Sequence, residues 1–473
     1  MALSIPGVGE DRPEAITTAV PRSLVSDLIS LNWDNVIEGV VGNLMGISRG
    51  IFLSMVFLGL LAVLARLIPD FFLFTLAWVV GTSPLWVFPV ALAGGWKAWL
   101  WYVRSDFLAH KHPILLEVKM PRDLVKSPRG MEVALSHLWA QSGETTFYHR
   151  VWKGQMYPVW SLELCSFGGE VKFYIWTWDY WRSNVEAAIY SQYPEVEIVE
   201  AEDYAMKYVY DPKRETVYAT DHRYEPRSDA YPLKTYIDYE LDKDPKEEFK
   251  VDPLATVIEF LSSMKPQEQI WLQILMTPNK DYRRKKNGRW WETEGLYTSL
   301  IKEEIDKIRL ETVGDIQKDK WRSYVRIQQY RQTELIRSMD RNMGKYPFSV
   351  SLRGVYIAPP ELFGSHGWFQ MRFIWRPFAN PQFSNQLRPR RWHTPFDYPW
   401  QDLWDMRWDL HARRFFDCYR RRNTFMGKWV IPHNIMSTEI LASLWHPVSG
   451  AIKSPGLQRI PSKKAAPPPN LPK

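Results

Sequence analysis

An uncharged apolar stretch near the start of the chain restricts its fold more than any other feature. Residues 50–65 read GIFLSMVFLGLLAVLA, and residues 71–96 read FFLFTLAWVVGTSPLWVFPVALAGGW without a charged side chain. A membrane-spanning helix needs about 20 predominantly apolar residues. Residues 50–104 are therefore long enough for two spans and too short for three, and we expect a transmembrane hairpin there.

The sequence leaves the turn of this hairpin open between two places. One is LIPD at residues 67–70, and the other is GTSP at residues 81–84. Aromatic side chains follow the second apolar run, at Trp96, Trp99, Trp101 and Tyr102. Aromatic belts of this kind mark the interface between membrane and water, so we expect the second span to end there.

Flanking charge predicts the orientation of the hairpin. Cations follow the apolar stretch closely, at Arg104, Lys111, Lys119, Arg122, Lys126 and Arg129. The candidate turns offer at most Arg66, which Asp70 balances. Because Lys and Arg are retained on the cytoplasmic side, the large C-terminal region should lie in the cytoplasm and the chain at the cytoplasmic (inner) membrane. A hairpin also places the N-terminal segment 1–49 there. Its residues 23–44 form an amphipathic helix pattern, suited to the membrane surface or to the protein's own domain.

Cysteine usage, charge and motifs bound the chemistry of the rest of the chain. The two cysteines, Cys165 and Cys418, have no CxxC spacing, so we expect neither a disulfide framework nor a zinc site. A net charge of +7 favours anionic partners such as phospholipid head groups or nucleic acid. No GxxxxGK[ST], GxSxG, HExxH or DxDxDG motif occurs. We therefore expect no enzyme: no catalytic residue, no metal site and no cofactor.

Strand and helix patterns alternate over residues 113–203 in the order β-α-β-β-α-β. In chain order they are a strand in ILLEVK, a helix in KSPRGMEVALSHLWAQ, two strands in WSLELCSFGGEVKFYIW, a helix in DYWRSNVEAAIYSQYP and a strand in EVEIVEAE. Gly168-Gly169 predicts a hairpin between the two central strands, because glycine reaches positive φ without steric cost. This order is that of the split βαβ, or ferredoxin-like, domain.

Residues 230–450 are expected to form a second, related α+β unit with long helical insertions. The predicted elements are a strand at 233–241, a helix that Asp252 caps, a strand in QIWLQILM, a mostly helical excursion from about 293 to 341, a strand from Phe348 into GVYIAP, a helix in GWFQMRFIWRPF and a closing strand in KWVIP. The predicted fold class is α+β with N-terminal transmembrane helices, a ferredoxin-like domain and a related second unit.

Two basic clusters interleaved with aromatic residues are the candidate contacts for an anionic partner. The first contributes Arg283, Arg284, Lys285, Lys286 and Arg289. The second contributes Arg413, Arg414, Arg420, Arg421 and Arg422. Such clusters bind phosphate and stack on bases, or contact anionic membranes and acidic protein surfaces. The first also fits a solvated loop. The aromatic residues of the second have core-like helical spacing, which favours a protein or membrane contact.

The chain ends in a Pro-rich basic tail, residues 451–473, which includes SKKAAPPPNLPK. Proline fixes φ, and the segment has little apolar surface with which to form a core. We therefore expect its last part, IPSKKAAPPPNLPK at residues 460–473, to be extended, exposed and dispensable for folding of the body.

Several strings together resemble a family from uncultured, candidate-phyla bacteria. They include ILLEVKMPRDLVKSPRGME, LELCSFGGEVKFYIWTWDYWRSNVEAAIYSQYPEVEIVEAEDY, DPLATVIEFLSSMKPQEQIWLQILM, SVSLRGVYIAPPELF and STEILASLWHPVSGAIKSPGLQRIPSKKAAPPPNLP. Members of that family carry a membrane anchor and an α+β region, found alone or N-terminal to a conjugation-type ATPase of the type IV secretion group. In the longer relatives a similar Pro-rich stretch leads into the ATPase, and this chain lacks that motor.

The resemblance implies a non-enzymatic platform that positions a separate motor in a type IV secretion or conjugation-like translocation machine. Its expected partners are the lipid bilayer, a secretion-type ATPase or other machine subunits, and further copies of the chain. Two other readings stay open. One is a membrane-tethered nucleic-acid-binding module that uses the basic clusters, and the other is a membrane enzyme without a recognisable motif.

Overall fold

The computed structural model describes residues 49–140, 146–243, 251–282, 295–313, 330–381, 384–393, 402, 406–422, 433–450, 452 and 454–461. These residues form two compact units, one of the residues up to 88 with residue 402 and one of the remainder. The predicted amphipathic helix at 23–44, the first basic cluster, the KWVIP strand and residues 462–473 of the tail lie outside the described residues.

Three successive apolar helices occupy the region of the predicted hairpin. They are α1 (Arg49–Leu67), α2 (Pro69–Gly81) and α3 (Ser83–Ala109). The chain breaks at Ile68 and at Thr82, so both candidate turns interrupt it. Pro69 explains the first break, because proline has no amide hydrogen and is tolerated in the first turn of a helix.

Within the described residues, none of the helices is by itself both long and apolar enough to cross a bilayer. The segments Ser54–Leu67 and Pro69–Gly81 reach the required length and composition together, with a bend of 113° between them. This is the geometry of a broken span or a re-entrant loop. Large apolar side chains along α1 to α3 are exposed, for example Phe74 (67%) and Leu85 (78%).

One ten-stranded sheet forms the frame of the second unit. Its strands are β1 (Pro113–Pro121), β2 (Trp160–Phe167), β3 (Glu170–Trp178), β4 (Glu197–Ala201), β5 (Thr216–Glu225), β6 (Gln269–Pro278), β7 (Pro347–Ala358), β8 (Gln386–His393), β9 (Asn434–Ser437) and β10 (Arg459–Ile460). The main path is β4-β1-β3-β2-β6-β7-β5-β8, with all neighbours antiparallel. Strand β9 pairs with β7, and β10 runs parallel to β1.

Helices cover both faces of this sheet. They are α4 (Arg129–Leu138), α5 (Phe147–Val151), α6 (Arg182–Gln192), α7 (Tyr204–Lys207), α8 (Pro253–Ser262), α9 (Leu296–Val313), α10 (Tyr330–Met343), α11 (Ser365–Arg372), α12 (Met406–Arg420) and α13 (Thr438–Leu444). Alternate strand residues point to opposite faces. One set packs in a large core with α4, α6, α8, α11 and α13, and the other packs in a smaller core with α7 and α12.

The predicted order of elements over residues 113–203 is confirmed, with the short helix α5 added between α4 and β2. The predicted hairpin is confirmed as well. Phe167 pairs with Glu170 across a two-residue loop, and Gly168 and Gly169 have φ values of +62° and +91°. These positive values explain why two glycines occupy the loop.

The prediction of a strand at 233–241 is wrong. Residues 236–243 form consecutive turns, and the first strand of this half is β5, at Thr216–Glu225. Two features of the chain account for this wrong prediction. Tyr236 and Leu241 reach the core from the turns, and β5 buries the polar residues Asp221 and His222. Strand β8 was not predicted, and it pairs with β5 along Gln386–His393. The predicted KWVIP strand lies outside the described residues.

Other elements of this half agree with the sequence. Asp252 caps α8, its Oδ1 accepting a hydrogen bond from the Leu254 amide at 2.9 Å. Strands β6 and β7 pair over ten registered positions from Gln269 to Pro278. The helical excursion contains α9 and α10, whose buried faces form a small core of their own.

The first part of the predicted tail, residues 454–460, belongs to the fold, although its sequence has the composition of a linker. Strand β10 pairs with the end of β1, and Leu457 forms a bridge with Val171 of β3. Arg459 donates hydrogen bonds to the carbonyls of Pro121, Ser449 and Ile452. The physical reason is that β1 and β3 separate at this end, which leaves backbone groups that the tail satisfies.

The two predicted α+β regions share a single sheet. Strands β2 and β6 pair antiparallel from Trp160–Met276 to Phe167–Gln269, at the middle of the main path. The order β4-β1-β3-β2 on one side is mirrored by β6-β7-β5-β8 on the other. The sheet therefore has an approximate internal symmetry about the β2–β6 pair.

Candidate functional site

A row of polar residues crosses the sheet at the level of the β2–β6 pair. Strand register places one residue from each of six successive strands in this row: Glu117, Tyr174, Glu163, Gln273, Arg353 and Asp221. Directly paired residues point to the same face of a sheet. All six therefore belong to the face that α12 covers, and all of them except Glu117 are buried.

Glu163 is the centre of this row. Its Oε1 accepts hydrogen bonds from Ser161 Oγ at 2.6 Å and Gln273 Nε2 at 3.1 Å. Its Oε2 accepts one from the Tyr204 hydroxyl at 2.7 Å. Arg422 adds a bidentate pair, with Nε 2.7 Å from Oε1 and Nη2 3.1 Å from Oε2. Five donors thus satisfy one fully buried carboxylate.

Arg422 lies just beyond Arg420, the last residue of α12, with Arg421 between them, and it is buried. It adopts a φ of +45°, which a non-glycine residue rarely takes, and this conformation accompanies the turn of its side chain into the protein. Besides Glu163, its guanidinium donates to both oxygens of Asp203, at 2.5 and 3.0 Å. It also lies 5.3 Å from the ring centroid of Trp176. Two carboxylates therefore neutralise one buried cation.

Electrostatics of the cluster follow from this geometry. Burial alone would raise the pKa of Glu163, but the charge and hydrogen bonds of Arg422 outweigh it, and the net pKa is lowered. Burial would likewise lower the pKa of Arg422, and Glu163 holds it well above its usual range instead. Both groups are thus charged in the folded protein, and each depends on the other for this.

Asp203 and Arg420 tie the neighbouring helix α7 to the cluster. Asp203 caps α7 by accepting a hydrogen bond from the Ala205 amide at 3.0 Å. Arg420 donates to the carbonyls of Ala205 at 3.0 Å and Tyr208. The hydroxyl of Tyr204 also lies 2.9 Å from that of Tyr419 on α12. Strand β2, helix α7 and the end of α12 are therefore joined by one polar network.

A second buried ion pair lies further along the row. Arg353 Nε is 3.6 Å from Asp221 Oδ1, and its Nη1 donates to the carbonyl of Cys418 on α12 at 3.1 Å. Burial lowers the pKa of Arg353, and the negative charge of Asp221 opposes this. Helix α12 is thus anchored to both halves of the sheet, through Glu163 on one side and Arg353 on the other.

The chemistry open to this arrangement is structural. Every charge in the Glu163–Arg422–Asp203 cluster is used by another group of the cluster, and the central pair is closed to solvent. Within the described residues no group of three or more His, Cys, Asp or Glu is placed to hold a metal ion. A cleft of about 140 Å³ lies elsewhere, between β1, β3 and residues 457–460. It is smaller than the roughly 300–1,000 Å³ of typical ligand pockets.

The structure separates the members of the second basic cluster. Arg413 and Arg421 are exposed, and Arg421 pairs with Asp417 at 2.9 Å. Arg414 is half-buried, while Arg420 and Arg422 point into the protein and bind the groups described above. The prediction of an anionic-partner contact is corrected for Arg422, whose cation neutralises internal carboxylates. Arg283, Arg284, Lys285, Lys286 and Arg289 lie outside the described residues.

The sequence did not predict Glu163 and Asp203 as partners of Arg422, because they lie 259 and 219 residues away from it in the chain. One signal was present. Glu163 interrupts the apolar strand WSLELCSF, where a charge on a strand buried on both faces requires a partner. The identity of that partner could not be read from the sequence.

Comparison with known proteins gives no family for the chain. No family model, no curated protein and no solved structure matches it.

Proposed function

We propose that the chain is a membrane-anchored, non-enzymatic platform at the cytoplasmic membrane, with its large C-terminal body in the cytoplasm. The observation that carries this proposal is the exposure of most large apolar side chains along α1, α2 and the first two thirds of α3. Phe74, Leu85 and Leu92 are between 65% and 78% exposed. Water-exposed apolar surface of this extent is unfavourable, at about 25 cal/mol per Å², and a bilayer removes the penalty.

The body is proposed to consist of two ferredoxin-like repeats fused at β2 and β6. Each half has the chain order β-α-β-β-α-β, and the strand orders on the two sides of the β2–β6 pair mirror each other. Fusion through central strands leaves a broad, rigid sheet covered by helices. Such a body is suited to present assembly surfaces rather than to enclose a substrate.

A separate motor is the proposed partner of this platform, in a type IV secretion or conjugation-like machine. The support is the resemblance of the sequence to regions that precede such ATPases, together with the Pro-rich basic segment SKKAAPPPNLPK after β10. Strand β10 fixes the start of that segment on the body. Its lysines would steer it toward an acidic surface of the motor.

The alternative of a nucleic-acid-binding module has less support. Of the five arginines in the second basic cluster, Arg420 and Arg422 bind groups inside the protein and Arg421 pairs with Asp417. Phosphate binding draws its affinity from cations that are free to replace counterions. The described part of the chain therefore offers fewer such cations than the sequence suggested.

The platform role is tested by cross-linking and co-purification from membranes of cells that express the full chain and its neighbouring genes. We expect a secretion-type ATPase among the partners, and deletion of residues 462–473 should weaken its recovery. Deletion should leave membrane association unchanged. If the full chain is recovered without any motor, or if deletion of residues 462–473 does not change the amount of motor recovered, docking through the tail is contradicted.

A further inference from the structure

We propose that an exposed aromatic and basic face, formed by α5 next to α3, rests in the head-group region of an anionic bilayer. We call it the interfacial face; it comprises Trp96, Phe147, Tyr148, Arg150, Trp152 and Lys153. The inference rests on the proposed membrane attachment and adds a second contact to it. The segment FYHRVWK, residues 147–153, supplies five of these residues.

Specific contacts hold α5 against α3. The indole Nε1 of Trp99 donates a hydrogen bond to the carbonyl of Val151 at 3.1 Å. The rings of Trp96 and Phe147 stack with centroids 6.4 Å apart, and those of Trp99 and Trp152 meet edge to face at 5.5 Å. The FYHRVWK segment is therefore fixed beside the aromatic end of α3.

Gly154 allows this close approach. A Cβ atom at this position would lie 2.3 Å from the carbonyl oxygen of Val103 in α3, and the residue has a φ of +61°. Both facts require glycine here. The chain thus returns from α5 directly against α3, which keeps the interfacial face in one place relative to that helix.

The aromatic rings of the interfacial face remain open to solvent despite these contacts. Phe147, Tyr148 and Trp152 are 57–58% exposed, and Trp96 is 47% exposed. Clustered exposure of large aromatic side chains marks an interaction surface. Trp and Tyr in particular prefer the membrane–water interface, where the ring is in contact with acyl chains and the polar atom with water.

Charge selects an anionic partner for this surface. Arg150 and Lys153 are exposed, and each lies over an aromatic ring of the same face, 6.0 Å from Phe147 and 5.5 Å from Tyr148. Residues 145–162 contain no Asp or Glu. Cations close to a membrane surface gain about 1 kcal/mol each from acidic lipids, which is roughly a fivefold change in binding.

The position along α3 favours a bilayer over a protein or a nucleic acid. Val90 and Leu92 are 65% exposed on the same helix. At 1.5 Å per residue, Trp99 lies about 10 Å beyond Leu92 along the helix. This distance is comparable with the depth of the interfacial layer, roughly 5–8 Å on each side of the hydrocarbon core. If Leu92 lies in the hydrocarbon, the interfacial face falls at the head groups.

Site-directed spin labelling of the full chain in vesicles tests the proposal. A nitroxide is attached at Tyr148→Cys, at Leu92→Cys to report the anchor, and at Tyr330→Cys as a control in α10, where the native tyrosine is 79% exposed. The native Cys165 and Cys418 are buried, and burial raises the pKa of both thiols, so both should label poorly. Collisions with oxygen and with a water-soluble nickel chelate then report depth.

In phosphatidylcholine vesicles that contain phosphatidylglycerol, we expect the label at 92 in lipid, the label at 330 in water and the label at 148 between them. The substitution pair Arg150→Ser and Lys153→Ser should return the label at 148 toward the water value. Pure phosphatidylcholine vesicles should do the same without any substitution.

Three outcomes contradict the proposal, and the first two separate it from the proposed function. If the label at 148 matches the one at 330 while the label at 92 lies in lipid, the anchor stands and the interfacial face fails. If both 92 and 148 stay in water, the membrane attachment fails with it. If the label at 148 keeps its interfacial depth in pure phosphatidylcholine vesicles and in the Arg150→Ser and Lys153→Ser variant, anionic head groups have no role in the contact.

Discussion

Single buried charges account for much of the specificity of this fold. Arg422 joins Glu163 and Asp203 across 259 and 219 residues of chain, and each partner would be an uncompensated buried charge without it. Removal of one member of such a group lowers the free energy of unfolding strongly, because the remaining ion stays buried without a partner. Replacement of the whole group by apolar side chains changes that free energy much less. The cluster therefore joins the chain just beyond α12 to β2 and to the start of α7.

The substitution Arg422→Met should lower the free energy of unfolding by roughly 3–5 kcal/mol, because Glu163 loses its bidentate partner. Arg421→Met is the matched control at the next position. That arginine is exposed and pairs with Asp417 in solvent, so its loss should cost less than about 1 kcal/mol. Denaturant midpoints of both variants in detergent measure the difference. Equal midpoints would mean that the buried cluster does not stabilise the fold.

The pH dependence of stability should contain a contribution from His222, which is buried in β5. Burial lowers its pKa from the ordinary value of 6.5 to about 4. Between pH 4 and 6.5 the His222 imidazole is protonated in the unfolded chain but neutral in the folded chain. The contribution of His222 to the free energy of unfolding is therefore fully present above pH 6.5 and is lost as the pH falls toward 4. The slope from this residue is about 1.4 kcal/mol per pH unit. Unfolding midpoints of the protein and of His222→Gln at pH 4.5, 5.5, 6.5 and 7.5 should show that the variant loses this slope. Parallel curves would contradict the assignment.

At the scale of elements, the sequence predicts those whose patterns are local. The β2–β3 hairpin needs two glycines at positive φ, and α8 needs the Asp252-Pro253 start, so both can be read from a few neighbouring residues. Strand β5 could not be recognised, because Asp221 and His222 look like surface residues until Arg353 and the core around them are known. The same limit applies to the candidate site, whose charged members meet only after the sheet has formed.

Replacement of both Gly168 and Gly169 by Val should destabilise the body by about 1–3 kcal/mol per residue, since a β-branched residue resists positive φ. Added Cβ atoms would also lie 2.7 and 2.9 Å from the carbonyl oxygens of Pro266 and Met264. Gly344→Ala is the control, because its Cβ would meet nothing closer than 3.7 Å. Thermal melts compare the three proteins. A double variant that melts with the parent would exclude a strained loop.

The two parts of the tail should differ in their contribution to the stability of the body. Deletion of residues 462–473 should leave the melting temperature unchanged, because the composition of this segment cannot offset the entropy of ordering it. Deletion of residues 455–473 should lower it, because β10, the buried Leu457 and the hydrogen bonds of Arg459 are lost. Differential scanning of both truncations measures the contrast. An unchanged melt for the longer deletion would mean that β10 does not contribute to stability.

For the whole molecule, the decisive feature is the contrast between a body with buried cores on both faces of its sheet and an N-terminal region whose apolar side chains are exposed. The apolar run that the sequence shows at residues 50–96 coincides with the exposed helices α1, α2 and the first part of α3. The division into α1, α2 and α3 was not predicted. Each of the two candidate turns carries its own helix break, and the sequence alone could not show that both are used.

Alkaline carbonate extraction of membranes from cells that express the full chain tests the central claim most directly. We predict that the chain stays in the membrane pellet, because alkaline carbonate disrupts attachment by charge and the proposed attachment of α1 to α3 is apolar. The pair Phe74→Asp and Leu76→Asp should release part of it, at a cost of roughly 2.5–3.5 kcal/mol for each charge placed at mid-membrane depth. The control Tyr330→Asp, at an exposed residue of α10, should not release it. Full recovery of the unsubstituted chain in the carbonate supernatant would contradict the account.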